Sequence, residues 1–147
     1  RLREYYNVLE KQFRSYVEKA LNSNEPTGDY LVRQLESRLD NLVYRLGFAS
    51  SIRQARQLVS HGHILVDGKK LDIPAYLVSP GQKISLKEKS RKIDMLKENY
   101  ETAFLNSYPY LSKEENFEGT YIRYPEREEV PIEIQDNLVV EFYSRLI

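Results

Sequence analysis

Residues 48–68, FASSIRQARQLVSHGHILVDG, change their hydrophobic period part-way and so decide the fold. Up to Ser60 the apolar side chains Ile52, Ala55, Leu58 and Val59 recur at helical spacing, behind a serine pair, Ser50-Ser51, that can cap a helix start. Gly62 supplies the stop. From His63 the period falls to two, and Asp67-Gly68 is the strongest short hairpin signal a sequence offers. A short helix that feeds a β-hairpin is therefore predicted. The helix has a second face: Arg53, Arg56 and Gln57 fall at i, i+3 and i+4 and form a stripe of donors. A planar guanidinium can hold a phosphate through two hydrogen bonds, and the N–H groups near Ser50 and Ser51 suit an anion.

Working outward, the upstream leucines Leu31, Leu35, Leu39, Leu42 and Leu46 predict one helix running to Gly47, capped by Thr27 or Asp29. Before it, residues 22–28 are dense in turn formers. Residues 4–20 predict a first helix with Leu9, Phe13, Tyr16, Val17 and Ala20 inward and Lys11 and Arg14 outward. Downstream, Lys69 to Ile73 is expected to return as the partner strand, and Lys83 to Lys87 alternates like a third. A helix is expected from Ser90, with Ile93, Leu96, Tyr100 and Phe104 at near-helical spacing. Residues 106–137 read as irregular, apart from a strand over Gly119–Arg123, and Leu138–Tyr143 is rich in strand formers. The fold class is α+β: a helical domain interleaved with a module of helices on a small, mainly antiparallel sheet. The expected division is 1–35 (helical), 36–86 (module) and 87–147 (acidic helix and strands packing on both).

The 147 residues have a formal net charge of zero, which hides a segregation. Residues 33–92 carry twelve basic and five acidic side chains, and residues 93–147 the reverse, five and twelve. That pattern suggests one surface for a polyanion and another for a different partner. Arg38 and Arg45 of the preceding helix, and Lys69 and Lys70 beside the hairpin turn, add to the positive cluster. No apolar run approaches the ~18 residues of a membrane span, and no secretory signal pattern is present. Without cysteine there is no disulfide or thiolate metal site. The chain starts at Arg1 and not at methionine, so residues upstream are expected.

The string LESRLDNLVYRLGFA at 35–49, followed by RQARQLVSHGHILVDGKKLDIP at 53–74, is similar to the signature of the bacterial small-subunit ribosomal protein S-four family. LREYYNVLEKQFR near the start, and EGTYIRYPERE and VVEFYSR near the end, resemble the family's first helix and closing segments, so the resemblance spans essentially the whole chain. The resemblance implies a cytoplasmic ribosomal protein that binds small-subunit rRNA early at a multi-helix junction, helps nucleate assembly and touches ribosomal protein S-five, an interface that influences decoding accuracy. Its place near the mRNA entry makes mRNA a further partner. It implies RNA contacts by Arg3, Lys11 and Arg14, and by Arg38, Arg45, Ser51, Arg53, Gln54, Arg56, Gln57, His61, Lys69 and Lys70. It puts Glu126, Arg127, Glu128, Glu129 and Glu141 at the S-five interface. No cofactor, metal, membrane or small-molecule substrate is implied. An alternative is a regulator that uses the same fold off the ribosome on another structured RNA.

The sequence also departs from the family. Ser50-Ser51-Ile52 stands where members are more basic, Glu4 where they have a basic residue, and Asn7 where glycine is expected. Members are usually strongly basic, with an N-terminal region that in many carries a cysteine-ligated zinc. A chain lacking that segment and a divergent second copy both fit these departures. No Gly-rich phosphate loop, nucleophile elbow or Cys/His dyad is present, and the reading is not an enzyme. His61, His63 and Asp67 read as local hydrogen bonders before they read as a metal site. Glu114-Glu115 and Glu128-Glu129 read as solvated faces. Of the twelve tyrosines, Tyr16, Tyr44 and Tyr100 fall on or near apolar faces and are assigned to the core.

Overall fold

The hairpin at Asp67-Gly68 forms as its sequence requires. Asp67 (φ 51°) and Gly68 (φ 80°) both adopt the left-handed backbone of a tight two-residue turn. They join β1 (Ile64–Val66) to β2 (Lys69–Lys70), with Val66 opposite Lys69. The computed structural model describes residues 2–103 and 108–131. Within them, α1 (Leu2–Tyr5), α2 (Glu10–Leu21), α3 (Thr27–Glu36), α4 (Leu39–Arg45), α5 (Ile52–Ser60) and α6 (Asp94–Thr102) accompany β1, β2, β3 (Lys83–Leu86), β4 (Leu111–Glu114) and β5 (Glu118–Tyr121). The five strands form one antiparallel sheet in the order β2-β1-β3-β5-β4. The α+β class is borne out.

The chain divides into two compact units, Ser37–Pro125 and, separately, Arg1–Glu36 with Glu126–Ile147. The larger unit holds the sheet, α4, α5 and α6 around one core, built on side chains such as Leu42, Phe48, Val59, Ile84 and Tyr121. Phe48 stacks on Tyr100 at 5.2 Å between ring centres, an aromatic seam between the chain after α4 and α6. The smaller unit has its own core of Tyr6, Phe13, Val17, Leu31 and Leu35. There the Tyr6 hydroxyl donates to the buried Glu36 carboxylate at 2.6 Å.

Four expectations are corrected. The predicted helix over 4–20 is two pieces, because Asn7 takes a left-handed backbone (φ 54°) between α1 and α2. This is where glycine was expected, and asparagine is among the few residues that tolerate the conformation. The leucine run to Gly47 is also two helices. Ser37 and Arg38 leave helical geometry because their backbone is claimed elsewhere: the Ser37 carbonyl accepts from the Val78 N–H at 2.8 Å, and Arg38 bridges Leu77. The partner strand is shorter than Lys69–Ile73, since the chain turns away after Leu71 to meet the start of α4, where the Leu39 and Asp40 N–H groups donate to the Tyr76 and Pro74 carbonyls. Within the stretch read as irregular, β4 pairs β5 from Leu111 to Glu114 and closes the sheet edge. The expected strand over 119–123 is found at Glu118–Tyr121. Phe104 and Leu138–Tyr143 lie outside the described residues.

Candidate nucleic-acid interface

Helix α5 organises the positive surface. Ser51 caps it: its extended backbone (φ −150°) turns the hydroxyl to accept the Gln54 N–H at 3.1 Å. Gln54 in turn accepts the Ser50 N–H at 2.7 Å. The helix start, expected to offer free N–H groups to an anion, is therefore partly satisfied by its own side chains. Ile52, Ala55, Leu58 and Val59 are buried as predicted, and this anchors the other face outward. Arg53, Gln57 and His61 are exposed and Arg56 is half-buried.

The arginines differ in how they are held. Asp40, 0% exposed, accepts Arg38 Nε at 3.0 Å and Arg38 Nη2 at 2.9 Å, a fork-to-fork pair. The same carboxylate accepts the Asn41 N–H at 2.7 Å and lies 3.4 Å from Arg56 Nε. Arg38 and Asp40 thus form a buried pair that reaches the surface through Arg56. Arg38, expected at the RNA, is 2% exposed and is the cation of this pair. Arg45 is buried likewise. It is 5% exposed, with its guanidinium 5.2 Å from the Tyr108 ring centre and 5.8 Å from that of half-buried Tyr44.

The hairpin lysines are exposed, and Lys70 folds back over the end of α5. A Cβ on Gly62 would stand 2.7 Å from Lys70 Cε, a flexible side-chain end that can shift, and it is the left-handed backbone, φ 81°, that favours glycine here. Arg53, Arg56, Gln57, His61 and Lys70 are thereby gathered on one helix–hairpin unit. Asp67 receives the Lys83 N–H at 2.9 Å and His63 Nδ1 lies 2.6 Å from the Ser90 hydroxyl, so both act locally. Burial first, then the positive charges of His61 and Lys87, hold the His63 pKa below its ordinary value.

In the smaller unit Lys11 is exposed, Arg3 is half-buried, and Arg14 lies 3.6 Å from Glu10. Glu126 and Glu129 close a capping box around a 3-10 turn, Arg127–Glu129. Arg127 Nη1 donates to Asp29 at 3.2 Å, while Glu128 is exposed. Glu141 lies outside the described residues.

Known proteins match the same region and more. The S4 domain family matches residues 37–84, which hold α4, α5, β1, β2 and the start of β3. The chain is 64% identical over 147 residues to the small ribosomal subunit protein uS4 of Finegoldia magna, covering 99% of this chain and 74% of that protein. It is 53% identical over 146 residues to uS4B of Clostridium acetobutylicum, covering 99% and 76%. To uS4 of Geobacillus stearothermophilus it is 53% identical over 148 residues, covering 99% and 72%. The chain belongs to the uS4 family.

Sequence reasoning missed one residue that organises this uS4 surface. Asp40 is the sole acidic residue between Ser37 and Val66. An isolated carboxylate inside so basic a stretch is the signal that would have found it. Arg38 and Arg45 carried a signal too. They lie three residues after Leu35 and Leu42, on the stripe the leucines define, which is the inward side.

Proposed function

We propose that this uS4 protein is a structural component of the small ribosomal subunit that binds rRNA through the α5–hairpin unit and performs no catalysis. One observation carries the reading: within the span that matches the S4 domain, Arg53, Arg56 and Lys70 share one helix–hairpin unit, with Arg56 steadied by buried Asp40. An arginine held as Arg56 is presents its guanidinium to phosphate oxygens with less orientational freedom left to lose. Such contacts fix register on a folded RNA, and the irregular shape of a junction supplies specificity. Gln57, His61 and Lys69 extend the surface, and Arg3, Lys11 and Arg14 add contacts from the smaller unit. Ser51 and Gln54 support α5 from within. The names of the relatives support the ribosomal assignment.

The finer reading is that the bound site is a multi-helix rRNA junction whose early capture nucleates assembly. The acidic turn at Glu126–Glu129 meets ribosomal protein S-five, and decoding accuracy and contact with mRNA follow from that placement. A tagged chain should co-sediment with small subunits in a lysate gradient and remain with them at moderate salt. A chain that binds structured RNA yet stays out of the small-subunit fractions would favour the off-ribosome regulator.

A further inference from the structure

Beside the arginine face, α5 borders a hollow of about 240 Å3 that phosphate contacts leave unused. Its floor is apolar, with Leu58 7% and Leu96 1% exposed, and Ile93 and Met95 stand beside them, 40% and 50% exposed. The rim on the α5 side is Gln57 and His61, and among the described residues neither side chain is engaged in a hydrogen bond. Gln54 closes one end and is fixed there, its amide oxygen taken by the Ser50 N–H and by Asn99 Nδ2 at 3.3 Å. His61 and His63 stand at the other end, where Lys87 is anchored beside them by its backbone N–H, which donates to the His63 carbonyl at 2.7 Å.

We propose that this hollow receives one unpaired nucleobase of the bound RNA. This rests on the RNA-binding reading above and deepens it from backbone grip to base recognition. A base needs flat apolar surfaces for its ring faces and a donor–acceptor group for its edge. Leu58, Leu96, Ile93 and Met95 supply the first, and the Gln57 amide, which both donates and accepts, supplies the second. The volume lies below the roughly 300–1,000 Å3 of sites that engulf a whole small ligand. It suits a single ring whose sugar and phosphates are held outside. Cations flank the hollow for those phosphates: Arg53 precedes Gln57 by one turn on the same face of α5, and Lys87 is hydrogen-bonded through its backbone to His63 at the far end. A protein side chain has no comparable need of cations on both sides of the cleft.

Met95 is the sole methionine, so a 13C-methyl label gives a single resonance inside the hollow. The probe is deproteinised small-subunit rRNA, with binding followed separately by gel shift. At saturation the Met95 methyl signal should move upfield through the ring current of a stacked base. Gln57→Leu should weaken binding about tenfold with the salt slope unchanged, because no phosphate contact is lost. Arg53→Ala should instead reduce the slope and leave the saturated Met95 shift in place. Gln57 is exposed, and an unchanged Met95 signal in the free variant verifies that it folds. RNA binding with a stationary Met95 signal, or a Gln57→Leu variant of full affinity, overturns the nucleobase site while leaving the RNA-binding reading intact. No binding of rRNA at all overturns both.

Discussion

Replacing Asp40 with Asn removes one negative charge from the centre of the larger unit and leaves every neighbouring atom nearly in place. Asn keeps an oxygen for the Asn41 N–H and for one nitrogen of Arg38, but not the charge that neutralises a guanidinium 2% exposed to water. Breaking a buried ion pair from one side costs up to about 3–5 kcal/mol, because the remaining cation loses its carboxylate. Against a total stability of about 5–15 kcal/mol, Asp40→Asn should remove a large share. Urea unfolding followed by far-ultraviolet circular dichroism reads that loss directly. The double variant Arg38→Met with Asp40→Leu removes both charges and should recover most of it. It will stay about 1 kcal/mol short, because the Asn41 N–H and Arg56 each lose the hydrogen bond to the Asp40 carboxylate. The two single losses should therefore be non-additive by more than about 2 kcal/mol. A loss under about 1 kcal/mol for Asp40→Asn, with additive singles, would refute the buried pair as described.

Two glycines should separate backbone strain from crowding. Gly68→Val should cost about 1 kcal/mol from its positive φ alone, since nothing lies near a Cβ there, whereas Gly119→Ala should cost about 1–3 kcal/mol by driving Cβ into buried Leu46. Chemical denaturation of both variants checks the pair. Burial lowers the Lys113 pKa to about 8 from 10.5, so the unfolded chain holds the extra proton between those values. Stability should rise with pH across that window in the native protein and not in Lys113→Met. Tyr100, raised by burial to about 12, opposes the rise only above pH 10, and it is common to both proteins. Reversing Glu128 and Glu129 to Lys should leave affinity for isolated rRNA unchanged or slightly higher in a gel shift. Loss of the Glu129 capping contact should lower stability by about 0.5–2 kcal/mol.

The elements with strong local signals were legible: α5 from its apolar spacing and serine cap, and the β1–β2 turn from Asp67-Gly68. Elements decided by distant partners were not. Nothing local in LESRLDN announces a break at Ser37, because what ends α3 is a hydrogen bond from Val78. Strand β4, LSKE, has little alternation of its own and exists because β5 offers it an edge. The candidate interface divides in the same way. Charge and helical spacing placed exposed Arg53 and Gln57 and half-buried Arg56 on one outward face, but charge alone did not reveal that Arg38 and Arg45 are buried. Their burial depends on Asp40 in one case and on Tyr44 and Tyr108 in the other. A Leu-rich helix with arginines on its inward stripe asks for such partners before it is read as basic surface.

Salt dependence tests most directly whether α5 grips RNA phosphates. Arg53→Ala and Arg56→Ala together should weaken binding to small-subunit rRNA by several kcal/mol, at about 1.5–3 for each charged hydrogen bond. The slope of log affinity against log salt should fall by roughly 1.4–1.8, at about 0.7–0.9 for each lost phosphate contact. A folded double variant with native affinity and an unchanged slope would contradict the account.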